Sequence, residues 1–199
     1  MNEIVPGVFH WTAMHPHIKT DVSSYYLQEE RVLIDPMKPP EGLDAFDRTA
    51  APAHILMTNR HHWRQSGAFV DAFGCTVHCN RAGMHEFTRG ERVEPYEAGD
   101  ELPGGVVACA VGAICPDESA LFIPRRRALA CADGLVRMNG EPGFVPDKLM
   151  GDDPGEVKRG LREAYARLAE LDVENLLLAH GDPVIGGGRE VLERIGSGD

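Results

Sequence analysis

At 199 residues the chain is long enough for one domain with a substantial core, and its 43% hydrophobic and 26% charged residues are ordinary for a globular protein. Lys and Arg number 20 and Asp and Glu 31, a balance of 20 − 31 = −11, which argues against a long nucleic-acid or anionic-membrane surface and for a small solute as ligand. No apolar run approaches the roughly 20 residues of a membrane helix, the opening M-N-E-I-V-P-G lacks the parts of a signal peptide, and the five cysteines form no zinc-ribbon spacing. The expectation is a cytoplasmic chain with reduced thiols.

In chain order, V-F-H-W-T at Val8 to Thr12 and S-S-Y-Y-L at Ser23 to Leu27 alternate as strands do, and V-L-I-D-P at Val32 to Pro36 reads as a buried strand ending at an acid. Three antiparallel strands are thus predicted to open the chain. A helix is expected from Glu41 to about Arg48, followed by a short buried strand through A-H-I-L-M-T. Ser66 to Phe73 carries Phe69, Val70 and Phe73 at the spacing of one helical face, with Gly74 at the stop. C-T-V-H-C at Cys75 to Cys79 reads as a strand with both thiols on one face beside Val77, and a short helix is expected around Ala82 to Thr88. Three further strands are predicted at V-V-A-C-A-V-G, A-L-F-I-P and A-L-A-C-A-D-G, followed by a Gly- and Pro-rich loop from Val136 to Gly151. Asp153 and Pro154 then start a helix with Val157, Leu161, Tyr165, Leu168 and Leu171 on one face. The strand L-L-L-A-H, a Gly-rich turn and the helix R-E-V-L-E-R-I close the chain. No short repeat and no linker divides it, so residues 1–199 are expected to form one domain.

Chemistry concentrates at Thr58 to Gly67, T-N-R-H-H-W-R-Q-S-G, which follows directly on a predicted strand. Ligands in open α/β sheets bind beyond the carboxyl ends of strands. Asp133 and His180 also stand at predicted strand ends, so the three points converge along one sheet edge.

The order of strands together with these residues resembles the metallo-β-lactamase fold, over about Val5 to Ile195. The resemblance implies an α/β chain folded as an αββα four-layer sandwich, with a hydrolytic site of one or two zinc or iron ions on that edge. In that family a strand ending in Thr leads into H-x-H-x-D-H. By position Thr58 is the Thr, Asn59 stands in the first His place, His61 in the second, Trp63 in the Asp place and Arg64 in the last His place. V-G-A-I-C-P-D-E-S places Ala113 where a further His is expected, whereas A-C-A-D-G-L supplies Asp133 and A-H-G-D-P supplies His180. His61, Asp133 and His180 therefore match, and they are the catalytic and metal-ligating candidates; Asn59, Arg60, Trp63 and Arg64 are the candidates for contact with substrate.

Two readings follow. Two imidazoles and a carboxylate meet the ligand count for a single zinc, iron or manganese ion with an open position, which makes a mononuclear hydrolase of small esters, thioesters or phosphoesters. Against this, a guanidinium repels a divalent cation, so Arg64 is expected to pair with Asp133 and stand in for the ion. The chain would then hold no metal and bind a small anionic molecule or serve in an assembly, a homo-oligomer included; its standing as an enzyme stays open. His15 and His17 lie on a loop that in the family can overhang the site, and Cys115 lies near the absent His; exposed loop positions and a core thiol are the plainer readings. His62 is expected to point elsewhere, in a structural role.

Overall fold

A computed structural model describes residues 1–47 and 49–198. The first sheet is made of β1 (Asn2–Val5), β2 (Val8–Met14), β3 (Asp21–Leu27), β4 (Val32–Ile34), β5 (His54–Leu56), β6 (Thr76–Asn80) and β7 (Val93–Tyr96), paired in chain order. It is antiparallel from β1 to β4 and parallel from β4 to β7. The second sheet contains β8 (Glu101–Leu102), β9 (Val106–Ala110), β10 (Ser119–Ile123) and β11 (Ala128–Cys131). A small hairpin of β12 (Val136–Asn139) and β13 (Glu141–Gly143) precedes its last member, β14 (Asn175–Leu178), which pairs parallel with β11.

The burial pattern dictates the layers. Tyr25, Val32, Leu56 and Tyr96 of the first sheet meet Val106, Leu121, Ala130 and Leu177 of the second in one buried cluster, so the sheets pack face to face. The outer face of the first sheet, with Tyr26, Leu33, Ile55 and Val77, is covered by α1 (Ser66–Phe73) through Phe69 and by Phe46. That of the second is covered by α2 (Pro154–Leu168) and α3 (Gly188–Ser197), through Leu161, Tyr165, Leu192 and Ile195. This is the αββα four-layer arrangement, and among the described residues no helix is long and apolar enough to cross a membrane.

The expected helices at Ser66 and Pro154 hold in detail. Gly74 adopts φ 70 at the end of α1, where a left-handed residue closes a helix at least cost. Asp153 accepts from the Glu156 N–H at 3.0 Å to cap α2, with Pro154 in its first turn. Elsewhere the expectations need correction. Four antiparallel strands, not three, open the chain, because N-E-I-V adds β1 at the edge. The helix expected from Glu41 to about Arg48 is a single 3-10 turn, Leu43–Phe46, with Arg48 outside the described residues; one buried anchor, Phe46, is too little to extend it. The segment read as a loop from Val136 to Gly151 contains the β12–β13 hairpin and a 3-10 turn at Asp147–Leu149.

Candidate functional site

Four chain segments deliver side chains to the edge where β4, β5, β11 and β14 end. The 3-10 turn Arg60–Trp63 leaves β5, with Asn59 as its N-cap: the Asn59 Oδ1 accepts from the His61 N–H at 2.9 Å. The same Asn59 side chain donates through Nδ2 to Asp133 Oδ2 at 2.9 Å, so the amide ties the turn to the end of β11. Asn59 itself is fully buried.

The imidazole that reaches Asp133 and His180 is His62, not His61. His62 Nδ1 donates to Asp35 Oδ2 at 2.9 Å, and His62 Nε2 lies 3.3 Å from Asp133 Oδ1. His180 Nε2 approaches the same Asp133 oxygen at 3.0 Å. The four side chains form a chain, Asp35, His62, Asp133, His180, from a carboxylate 2% exposed to an imidazole 20% exposed, so the buried end lies at Asp35 and the open end at Asp133 and His180. Among the described residues, His62, Asp133 and His180 are the group of three His, Cys, Asp or Glu side chains whose ligand atoms lie within 4.8 Å of one another. His61 is partly buried and outside that group; burial, and then the neighbouring Arg60 charge, hold its pKa below the usual value.

The choice of His62 has a physical cause. Asp35 follows β4 as a buried residue, and it accepts from the Thr58 N–H at 2.9 Å and the Thr58 hydroxyl at 2.6 Å. A buried carboxylate needs a cationic or well-placed donor partner, and the turn offers His62 in that direction. Burial alone would lower the pKa of His62. The Asp35 carboxylate, followed by Asp133, outweighs that effect and raises it to about 9. Asp133 lies well below the usual carboxylate range because His62 and His180 overcome the opposing effect of burial.

Arg64 does not pair with Asp133. Its Nη1 donates to the carbonyl oxygens of Ser23 at 2.6 Å and Asp35 at 2.7 Å, and its Nη2 to that of Ala179 at 3.4 Å. The guanidinium thus stitches β3 to the ends of β4 and β14 beside the histidine chain, and its charge bears on Asp35 and Asp133. Arg64 and Asp35 are both non-glycine residues at positive φ, 46° and 47°. Such backbone strain is commonest at functional sites.

The remaining candidates are placed as follows. Trp63 faces the outer layer and packs against Phe87, with ring centroids 5.8 Å apart; it is not a wall of the site. Arg60 pairs with the fully buried Asp117 through both its backbone N–H, at 2.6 Å, and its guanidinium. Ala113 packs in the cluster under α2, where a Cβ at Gly160 would lie 3.3 Å from it. Cys115 is buried, and burial followed by the Glu118 charge raises its thiol pKa to about 11, which keeps it protonated at neutral pH. His15 lies in the loop between β2 and β3. Its pKa is lowered by partial burial and then by the charge of Arg64, with His62 and His180 also acting on it. Its Nδ1 accepts from the N–H groups of His17 and Ile18 at 3.3 and 3.4 Å, which leaves Nε2 as the free ring atom.

No protein-family model matches the sequence, and no curated protein matches it. The fold has many counterparts among solved structures. A metallo-β-lactamase family protein, TTHA1429 from Thermus thermophilus, superposes with a TM-score of 0.71 at 15% identity over 98% of this chain and 80% of that one. The archaeal superfamily protein ST1585 from Sulfolobus tokodaii gives 0.67 at 15% identity, over 96% and 85%. TTHA1623 in a di-iron-bound form gives 0.67 at 21% identity, over 92% and 96%. Sequence identity this low establishes architecture rather than activity. On the layers, the strand order and these superpositions, the chain has the metallo-β-lactamase fold.

Proposed function

We propose that this chain has given up the dinuclear metal centre found on the same fold in a di-iron-bound counterpart, and uses the edge beside Asp133 and His180 to bind a small molecule carrying an anionic group. The observation that carries the reading is Arg64: a guanidinium, which cannot ligate a cation, stands in a family ligand place and spends its donors on the carbonyls of Ser23, Asp35 and Ala179. Trp63 and Ala113, in two more ligand places, pack into the outer layers, and Asn59 is committed to Asp133 and the His61 N–H. The donor set does not fit two ions. Arg60 and Arg64 are occupied by Asp117 and backbone carbonyls, so an anion is left with His180, with His15 of the β2–β3 loop and with more distant cations.

A second reading rests on one specific observation, the convergence of His62, Asp133 and His180. Two imidazoles and a carboxylate on three strand ends suit one divalent ion, and the Asp35 carboxylate on the far nitrogen of His62 is the usual way to orient a ligating histidine. A single zinc, iron or manganese ion held there would polarise the carbonyl or phosphoryl group of a small ester, thioester or phosphoester. The chain's own contribution would be to hold the Nε2 atoms of His62 and His180 toward it. Proton and ion compete for His62 Nε2, so an ion bound there would displace the proton that Asp35 and Asp133 favour in its absence.

Metal counting on protein purified without chelator, with parallel assays of ester, thioester and phosphoester hydrolysis in added zinc or manganese, separates the readings. The expected result is well under one ion per chain and no metal-dependent hydrolysis. One ion per chain, lost together with hydrolysis in His62→Ala, would replace the first reading by the second.

A further inference from the structure

A cleft opens next to the turn that carries His180, between β2, the start of β3, the β12–β13 hairpin and the residues that follow β14. Thr12, Asp21, Arg137, Met138, Gly181 and Asp182 line it. Its floor is rigid. The Ser23 hydroxyl donates to the Gly181 carbonyl at 2.8 Å and contacts His10 Nε2 at 3.0 Å, while the Arg137 N–H donates to the His180 carbonyl at 2.9 Å. Gly181 sits at φ 92, and a Cβ there would meet the Arg137 carbonyl oxygen at 2.0 Å, so only glycine lets the hairpin close on the turn that carries His180.

The charges in this cleft are unspent. Among the described residues Arg137 forms no ion pair; its Nη1 donates to the Pro183 carbonyl at 3.1 Å and its Nε is buried without a partner. Neither Asp21 nor Asp182 forms an ion pair with a described residue, although both share the cleft with that guanidinium. Buried or half-buried guanidinium groups normally find a carboxylate or several carbonyls. Three charged groups that face a common gap without meeting across it are complementary to a ligand bearing charges of both signs. Two carboxylates against one guanidinium leave the cleft net negative, which disfavours a simple anion. Met138 forms one wall and is 59% exposed, and Met14, 57% exposed, lies opposite Asp21 in the β2–β3 pairing. Exposed methionines, one lining the cleft and one paired with a lining residue, are adaptable apolar contacts.

We propose that this cleft recognises a zwitterionic, amino-acid-like group with an apolar side chain: its carboxylate on Arg137, its ammonium between Asp21 and Asp182, and its side chain against Met14 and Met138. This deepens the proposed function by naming the anionic group as a carboxylate paired with an ammonium, and it rests on that reading for the use of the edge beside His180. It does not depend on metal content, so the two fail separately.

Binding of L-methionine, followed by amide chemical shifts in the intact chain, tests the proposal. N-acetyl-L-methionine, which lacks the ammonium, and L-methionine methyl ester, which lacks the carboxylate, serve as the comparison ligands. The expected result is saturable shifts centred on the Thr12 and Gly181 amides, with each analogue binding at least about tenfold more weakly, the loss of one charge-assisted pairing. Arg137→Gln is expected to erase the difference between L-methionine and its ester, and Asp182→Asn to shrink that between L-methionine and its N-acetyl form. Because the analogue series uses the unaltered chain, a misfolded variant leaves the test intact. Absence of shifts at those amides, or N-acetyl or ester forms that bind as well as L-methionine, would overturn the proposal, whatever the metal count.

Discussion

The guanidinium of Arg64 is held by carbonyl oxygens from three strand segments, so truncation leaves buried acceptors unpaired and Asp35 with one cation fewer. Arg64→Met is expected to lower the unfolding free energy by about 2–4 kcal/mol in urea titrations, and a loss under about 1 kcal/mol would mean that water replaces the guanidinium without penalty. His62 adds a pH dependence. Its pKa of about 9 in the folded chain against 6.5 as a free side chain means that the folded state holds the proton longer. The stabilisation is therefore fully present below about pH 6.5 and lost as pH rises through about 9, on the order of 3 kcal/mol. Glu118, raised to about 7 by burial, acts in the same direction at lower pH, because the unfolded chain ionises it near 4.5 while the folded chain does not. Measured in chelator as a difference from the unaltered chain, Glu118→Gln is expected to remove a loss of stability between about pH 4.5 and 7; a pH profile unchanged by the substitution would contradict the assignment. At this scale the sequence was only partly legible. Asp133 and His180 follow from their strand ends. Which of two adjacent histidines turns inward depends on the demand of buried Asp35 at the end of the neighbouring strand, and a family spacing applied to a turn capped by Asn59 points to the wrong one.

Among the elements, the loop after β5 is joined to the start of β10 and the segment before it by Arg60 and Asp117 and by the Ser119 N–H donating to the Thr58 carbonyl at 2.8 Å, while Asn80 Nδ2 at the end of β6 donates to Ser119 Oγ at 3.0 Å. A buried ion pair thus fastens these two segments to each other. The packing around it is close, since a Cβ on Gly83 would lie 2.8 Å from Asp117 Oδ2. Asp117→Ala strands the partly buried Arg60 charge and is expected to cost about 3 kcal/mol in the same urea titration, with no rescue by added zinc. Rescue by zinc would show that an ion does occupy this junction. Helical elements were read well where a long apolar face set their period, as in α1 and α2. β7, β8 and the β12–β13 hairpin were missed because they are short elements in charged or Gly-rich sequence, where pairing partners rather than alternation decide the backbone.

Across the molecule, two face-to-face sheets bring four strand ends to one edge, and protein groups connect them there: Asn59 to Asp133, Arg64 to three carbonyls, Arg60 to Asp117, and the Asp35, His62, Asp133, His180 chain. The strand order was legible because each layer needs its own apolar face, and the positions of Asp133 and His180 followed from it. The departures from the family's ligand pattern were legible in the sequence; how Arg64 and Arg60 are used required the tertiary contacts. The central claim, that this edge no longer houses a dinuclear centre, is tested most directly by counting ions bound after saturation with zinc and rapid desalting. The account predicts at most one ion per chain, abolished by His180→Ala; two ions per chain would contradict it.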